Sequence, residues 1–391
     1  MVQRIYLPKF LDIGAKAIEN LPSLLADLGC ERPLILSDKI MDSIGNVSRI
    51  RELLSKQKIV SDQFLDTMTE PHEASLLPAV KMFLAGEFDC IVALGGGSVI
   101  DSAKAIGLLA KSGGRMRDYK VPNIVNQDTV PVIAIPTTAG TGSEVTKVTI
   151  ITDNETDEKM LCMGPGLLPV ASIIDYELTT TAPARITADT GIDALTHAME
   201  SYISRKASLF TEQLALCAMG LIAPNLREAV NNPINSPGYN KEAKEKIMLG
   251  ANMAGMAFSN ASVALVHGMS RPIGAHFHIP HGMSNAMLLP VITEYSISSA
   301  VSRYANCARA MGIAEKHDTD NAAVAGLIKE LKQLNIDLKV PSLSEFGVTE
   351  LDYLNSLDIM AEQALASGSP NNNPKIPSKE EIILLYKKIW K

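Results

Sequence analysis

Seven histidines are few for a chain of 391 residues, yet four of them crowd between His267 and His281. Upstream, the segment GIDALTHAME sets Asp193 and His197 four residues apart, a spacing that stacks both side chains on one helix face towards a common ligand. His267 and His281 are fourteen apart, and an unbroken helix would separate them by about 21 Å, too far to share an ion. Pro272, Gly274 and Pro280 supply a break between them, so that His267 sits on one helix and His281 begins the next. One carboxylate and three imidazoles suit Fe²⁺ or Zn²⁺, with room for a substrate oxygen. Such an ion is a Lewis acid that polarises a carbonyl or stabilises an alkoxide. His276 and His278, flanking Phe277, read equally well as packing or hydrogen-bonding residues.

A second constellation is rich in glycine. Gly95, Gly96, Gly97 and Ser98 follow an apolar strand and open a helix, where a phosphate can approach backbone N–H groups at the helix N-terminus. The pattern is neither GxGxxG nor GxxxxGK[ST], and it also fits an ordinary strand-to-helix turn with Ser98 and Asp101 as caps. A further turn, PTTAGTGSEVT (136–146), again follows an apolar strand and offers the hydroxyls of Thr137, Thr138, Thr141 and Ser143. Two such turns at strand ends favour a bound dinucleotide. Asp38 ends an earlier strand, where a carboxylate accepts from ribose hydroxyls and repels a 2′-phosphate. That favours NAD over NADP, with a plain strand-end aspartate as the alternative.

The elements that must position these groups differ between the two halves. Up to about residue 182, short β-branched runs (33–38, 89–97, 130–138) alternate with helical segments (40–56, 98–112), the rhythm of βαβ units in a parallel sheet. Residues 151–163 resemble a hairpin, and 170–178 a further strand. From 183 onwards, Ala- and Met-rich segments carry apolar residues at helical spacing, predicting an all-α second domain over 183–391. The Ser/Pro/Asn-rich stretch 367–378 reads as a surface loop. A formal net charge of −7 lacks the basic footprint of a nucleic-acid binder. No apolar run of about 18 residues and no secretory leader is visible, so a cytoplasmic protein without membrane association is expected. The five cysteines are scattered, consistent with reduced thiols packed in cores.

The stretches ILSDK (35–39), GGGSVIDSAKAIG (95–107), PTTAGTGSEVT (136–146), the Lys159 region, TADTGIDALTHAMESYIS (187–204) and 257–290 together resemble the iron-containing (group III) alcohol dehydrogenase family over nearly the whole chain. The resemblance implies a Rossmann-like α/β domain, an all-α C-terminal domain and an active site in the cleft between them, acting on a small alcohol or aldehyde. It puts Asp193, His197, His267 and His281 on the family's metal ligands. Gly95, Gly96, Gly97 and Ser98 fall on its pyrophosphate loop, Thr137 and Thr138 on adenine and ribose contacts, and Asp38 on the position that prefers NAD. Asp101, Ser143 and Lys159 join the cofactor-binding set, while Phe258 and Cys162 are assigned to the substrate pocket. A homodimer or higher homo-oligomer is implied as well.

Arg271 departs from the pattern, because the family commonly has a second histidine four residues after the third ligand, where it is proposed to relay protons. Arginine cannot do so near neutral pH. Water, a ribose hydroxyl or His278 are the substitutes, which places His267, Arg271 and His278 among the candidate catalytic residues. A guanidinium near the metal could instead clamp a carboxylate, sulfonate or phosphonate on the substrate, or pair with an acidic neighbour. A different reaction class remains in view, a lyase resembling dehydroquinate synthase, which also uses NAD and a metal but recycles its cofactor.

Overall fold

The computed structural model describes residues 2–156 and 158–390, and the chain divides into two compact units, Val2–Ala182 and Pro183 onwards. In the first unit six parallel strands form one sheet: β1 (Phe10–Ile13), β2 (Pro33–Leu36), β3 (Asp62–Phe64), β4 (Cys90–Gly95), β5 (Val132–Pro136) and β8 (Ala171–Ile174). Their order across the sheet is β1-β8-β5-β4-β2-β3. The inner strands are buried along their length, as a parallel sheet covered on both faces requires. Alternate residues serve opposite cores: Ile35, Val92 and Ile133 face one cluster, and Leu34, Ile91 and Val132 the other.

That order creates a switch point. From β2 the chain steps outward to β3, whereas from β4 it steps the other way to β5, leaving a crevice beyond the carboxyl ends of β2 and β4. Open α/β sheets bind ligands at such crevices. Asp38 follows β2 and the three glycines end β4, so the topology gathers the two sequence signals at one place. Ser37 ties the strand ends together by donating to the carbonyl of Leu94 at 2.7 Å.

Strands β1 and β3 escape detection in the sequence because they are short and only partly buried. The helix expected over 40–56 is two helices, Lys39–Ser43 and Asn46–Lys56, separated at Gly45, whose φ of 87° ends helical geometry. The expected hairpin is β6 (Val148–Thr152) paired antiparallel with β7 (Lys159–Met163); Asp157 lies outside the described residues.

The second unit contains helices and short 3₁₀ turns but no strand among the described residues. With α1 assigned to Gly97–Ser112 in the first unit, the helices that matter here are α2 (Ala184–Ile203), α3 (Lys241–Ala261), α4 (Leu265–Phe277) and α5 (His281–Ser296). Helix α2 is almost wholly buried and packs on α3 and α5. The stretch 367–378 is not the surface loop expected. Ser369, Asn372 and Asn373 are buried, because Asn372 donates to Val263 O at 2.9 Å and Asn373 to Ser296 Oγ at 3.0 Å. Among the described residues, no single helix is long and apolar enough to cross a membrane.

Candidate metal centre

Three helices bring Asp193, His197, His267 and His281 together, with one ligand atom from each lying within 4.8 Å of the others. Oδ1 of Asp193 stands 3.8 Å from His197 Nε2, 3.5 Å from His267 Nε2 and 3.8 Å from His281 Nε2. Ligands about 2.0–2.2 Å from a tetrahedral ion are themselves roughly 3.4 Å apart, close to these separations. Asp193 and His197 share one face of α2, as their spacing predicts. The break between His267 and His281 falls at Pro280, as expected, and not at the two earlier positions: α4 runs through Pro272 and Gly274 and stops at His278, whose φ is 53°. Helix α5 then starts at His281. Gly282 lets that start press on α2, since a Cβ there would lie 2.3 Å from the carbonyl oxygen of Asp189.

Asp193, His197 and His267 are buried, while the His281 side chain is 46% exposed, leaving one side of the cluster open. Burial opposes ionisation of Asp193, but the nearby charges of His197 and His281 and the hydrogen bond to His267 outweigh it and hold the carboxyl well below its usual range.

Two functional residues were missed by sequence reasoning. Glu200, one turn beyond His197 on α2, accepts from Nδ1 of His267 at 2.7 Å, which leaves Nε2 as the lone-pair nitrogen facing the cluster. The same carboxylate accepts from the backbone N–H groups of Ala264 and Val266 at the start of α4. Its signal was the 193/197/200 spacing, which keeps one helix face. Asn285, one turn after His281, donates through Nδ2 to Asp193 Oδ1 at 2.6 Å. That nitrogen also lies 3.1 Å from His267 Nε2 and 3.3 Å from His281 Nε2, while Oδ1 of the same amide is buried without a hydrogen-bond partner. Three ligand atoms thus converge on one small polar group. A carboxylate and three imidazoles around such a point fit a divalent first-row metal.

In the first unit, Gly96 precedes α1 and Gly97 begins it, with N–H groups of the first turn left for a phosphate. A Cβ on Gly97 would lie 2.8 Å from Thr141 Cγ2, so the two glycine-rich turns are in contact. Thr137 N–H donates to Gly95 O at 3.0 Å, and a Cβ on Gly96 would meet Thr138 only at ordinary contact distance. Asp101 and Ser143 have internal work instead: Ser143 Oγ donates to Asp101 Oδ1 at 2.5 Å, and Asp101 Oδ2 accepts from Ile150 N–H at 2.9 Å. Lys104 completes the clamp, donating to Ser143 Oγ, Thr146 O and Val148 O. Burial pulls the Lys104 ammonium down to about 8 despite Asp101 and Glu144. Ser98 donates to the carbonyl of Thr69. Asp38 caps the helix Lys39–Ser43, Oδ1 accepting from Ile40 and Met41 N–H at 2.8 Å each.

The remaining candidates separate. Phe258 on α3 stacks on His197 with ring centroids 4.1 Å apart. Lys159 pairs with Glu70 at 3.1 Å. Cys162 is wholly buried in a hydrophobic core, donates to Met116 O, and has its thiol pushed up to about 12 by that burial; it offers a substrate no surface, because β7 turns its side chain inward. His278 is exposed in the turn between α4 and α5. Arg271, one turn after His267, donates to Ser369 Oγ at 3.1 Å.

Residues 8–176 match the family described as iron-containing alcohol dehydrogenase, and residues 187–390 match the C-terminal part of the Fe-containing alcohol dehydrogenase family. The chain is 32% identical to the NAD-dependent methanol dehydrogenase of Bacillus methanolicus, over 98% of each chain. It is 31% identical to the NADPH-dependent butanol dehydrogenase of Clostridium saccharobutylicum, over 100% of this chain and 98% of that one. A crystal structure of 1,3-propanediol oxidoreductase superposes with a TM-score of 0.93 at 32% identity, over all of both chains. With both units matched in order and along their length, this chain belongs to the iron-containing alcohol dehydrogenase family, and is an alcohol–aldehyde oxidoreductase.

Proposed function

We propose that this enzyme interconverts a short primary alcohol and its aldehyde, using NAD at the β2/β4 switch point and Fe²⁺ held by Asp193, His197, His267 and His281. The observation that carries this reading is the convergence of those four side chains, with Glu200 fixing the tautomer of His267. When bound, the cation supplies Lewis acidity towards the substrate oxygen, and the nicotinamide supplies or accepts the hydride. The chain's own residues do the positioning. Asn285 steadies the Asp193 carboxylate, and Phe258 shields one face of His197 from water. Arg271 stays charged near neutral pH and does not relay the proton. The proton leaves through solvent on the side where His281 is half exposed.

The test is protein loaded with Fe²⁺ or Zn²⁺ and assayed on an alcohol and aldehyde panel with NADH and NADPH. Net NADH turnover with simple substrates is expected, whereas a synthase that recycles its cofactor shows none. His267→Ala and His281→Ala should lose metal and activity together; full activity in either overturns the site.

A further inference from the structure

Arg271 is a charge without a counter-charge. The other half-buried arginines of the helical unit each meet a carboxylate: Arg185 with Asp189, Arg227 with Glu330 and Asp337, Arg303 with Glu212, and Arg309 with Asp320. Among the described residues no carboxylate lies within 4 Å of Arg271, whose one hydrogen bond is to the neutral hydroxyl of Ser369. Glu200 is the nearby acid, but its oxygens are taken by His267 Nδ1 and the N–H groups that open α4. Burial bears on this guanidinium strongly enough to pull it below its ordinary range, Glu200 compensating only in part. A charge kept out of water is costly unless paired, and a guanidinium offers a planar fork shaped for a carboxylate, sulfonate or phosphonate.

Position says what would pair with it. Arg271 follows the ligand His267 by one turn on the same face of α4, about 6 Å along the axis at 1.5 Å per residue. We propose that Arg271 binds an anionic group at the far end of the substrate, making a short aldehyde with a terminal carboxylate, or a like anion, the preferred substrate class. The inference rests on the function proposed above and adds the substrate's second group to it. Ser369 is the positioning residue, accepting from Nη1 and leaving the other N–H groups of the fork for the substrate's anion. The segment that carries Ser369 is pressed against α4 at Gly268, where a Cβ would stand 2.9 Å from Pro370.

The experiment compares propanal and succinic semialdehyde as substrates with NADH, in the Fe²⁺-loaded parent and in Arg271→Leu and Arg271→Lys. The parent should favour succinic semialdehyde in kcat/KM by at least about tenfold, the scale of one charge-assisted contact. Arg271→Leu should lose about 100-fold on that substrate, mainly through KM, and at least about tenfold more than it loses on propanal; Arg271→Lys should fall between. A parent that prefers propanal, or an Arg271→Leu that loses equally on both, overturns the proposal while leaving the alcohol–aldehyde activity standing. A loaded parent that reduces neither aldehyde overturns both. Should Arg271→Leu fail to fold, inhibition of the parent's propanal reduction decides: butyrate should compete at least about tenfold more tightly than butyramide, and equal inhibition counts against the anion site.

Discussion

Glu200 and His267 are joined at 2.7 Å through Nδ1, and the same carboxylate receives the first free N–H groups of the helix on which His267 rides. One side chain therefore sets both the helix origin and the imidazole tautomer.

Glu200→Gln should leave the helices folded yet weaken Fe²⁺ or Zn²⁺ binding by about 10–100-fold, the usual cost of a lost carboxylate behind a histidine ligand. Metal titration of the apoprotein reads this directly. Unchanged affinity would show that Glu200 serves only as a cap for α4.

Asp38 is a helix cap and, in the function proposed above, a charge beside the bound nucleotide, and two substitutions separate these roles. Asp38→Asn keeps a capping oxygen and removes the charge, so stability should hold while the NADPH/NADH efficiency ratio rises about tenfold or more. Asp38→Ala should show the same cofactor change and also lose about 1 kcal/mol in denaturant unfolding. No change in the ratio for either variant would leave Asp38 with the cap alone.

Gly97→Ala sets a methyl group against Thr141. Because the first turn of α1 and the second glycine-rich turn must both yield, NADH binding should weaken about tenfold with little loss of metal. Thr141→Ser in the same protein removes the Cγ2 methyl and should restore part of it. Equilibrium NADH titration by fluorescence measures both.

Lys104 makes a pH signature. Its folded-state value of about 8 lies below its ordinary 10.5, so the unfolded chain binds the extra proton between those values. The titration-linked part of its contribution to stability is therefore full above pH 10.5 and is lost as pH falls through about 8. The urea midpoint of the parent minus that of Lys104→Met should rise across pH 8–10.5, and a flat difference would contradict the assignment. Near pH 7 the variant should still be less stable, by about 1–3 kcal/mol, because Thr146 O and Val148 O lose their buried donor.

The sequence by itself determined which groups were available: the carboxylate and imidazoles at 193, 197, 267 and 281, the glycines that end β4, the hydroxyls of 137–143, and the change from βα alternation to helices. These are local facts, set by residue type and periodicity. Tertiary structure decided what the groups face. Glu200 became a partner of His267, and Asn285 of Asp193, only when three helices packed around one point, across 67 and 92 residues of chain. Asp38 and the glycine loop became neighbours because β2 and β4 are adjacent in the sheet, which alternation alone does not specify. Asp101 and Ser143 turned towards Lys104, and Cys162 into a core, since burial assigns a polar group the partner that the packing brings within reach. Arg271 was visible from the start as the departure from its family. Its hydrogen-bond partner, Ser369, arrives from 98 residues further along, in a stretch whose composition suggested a surface loop.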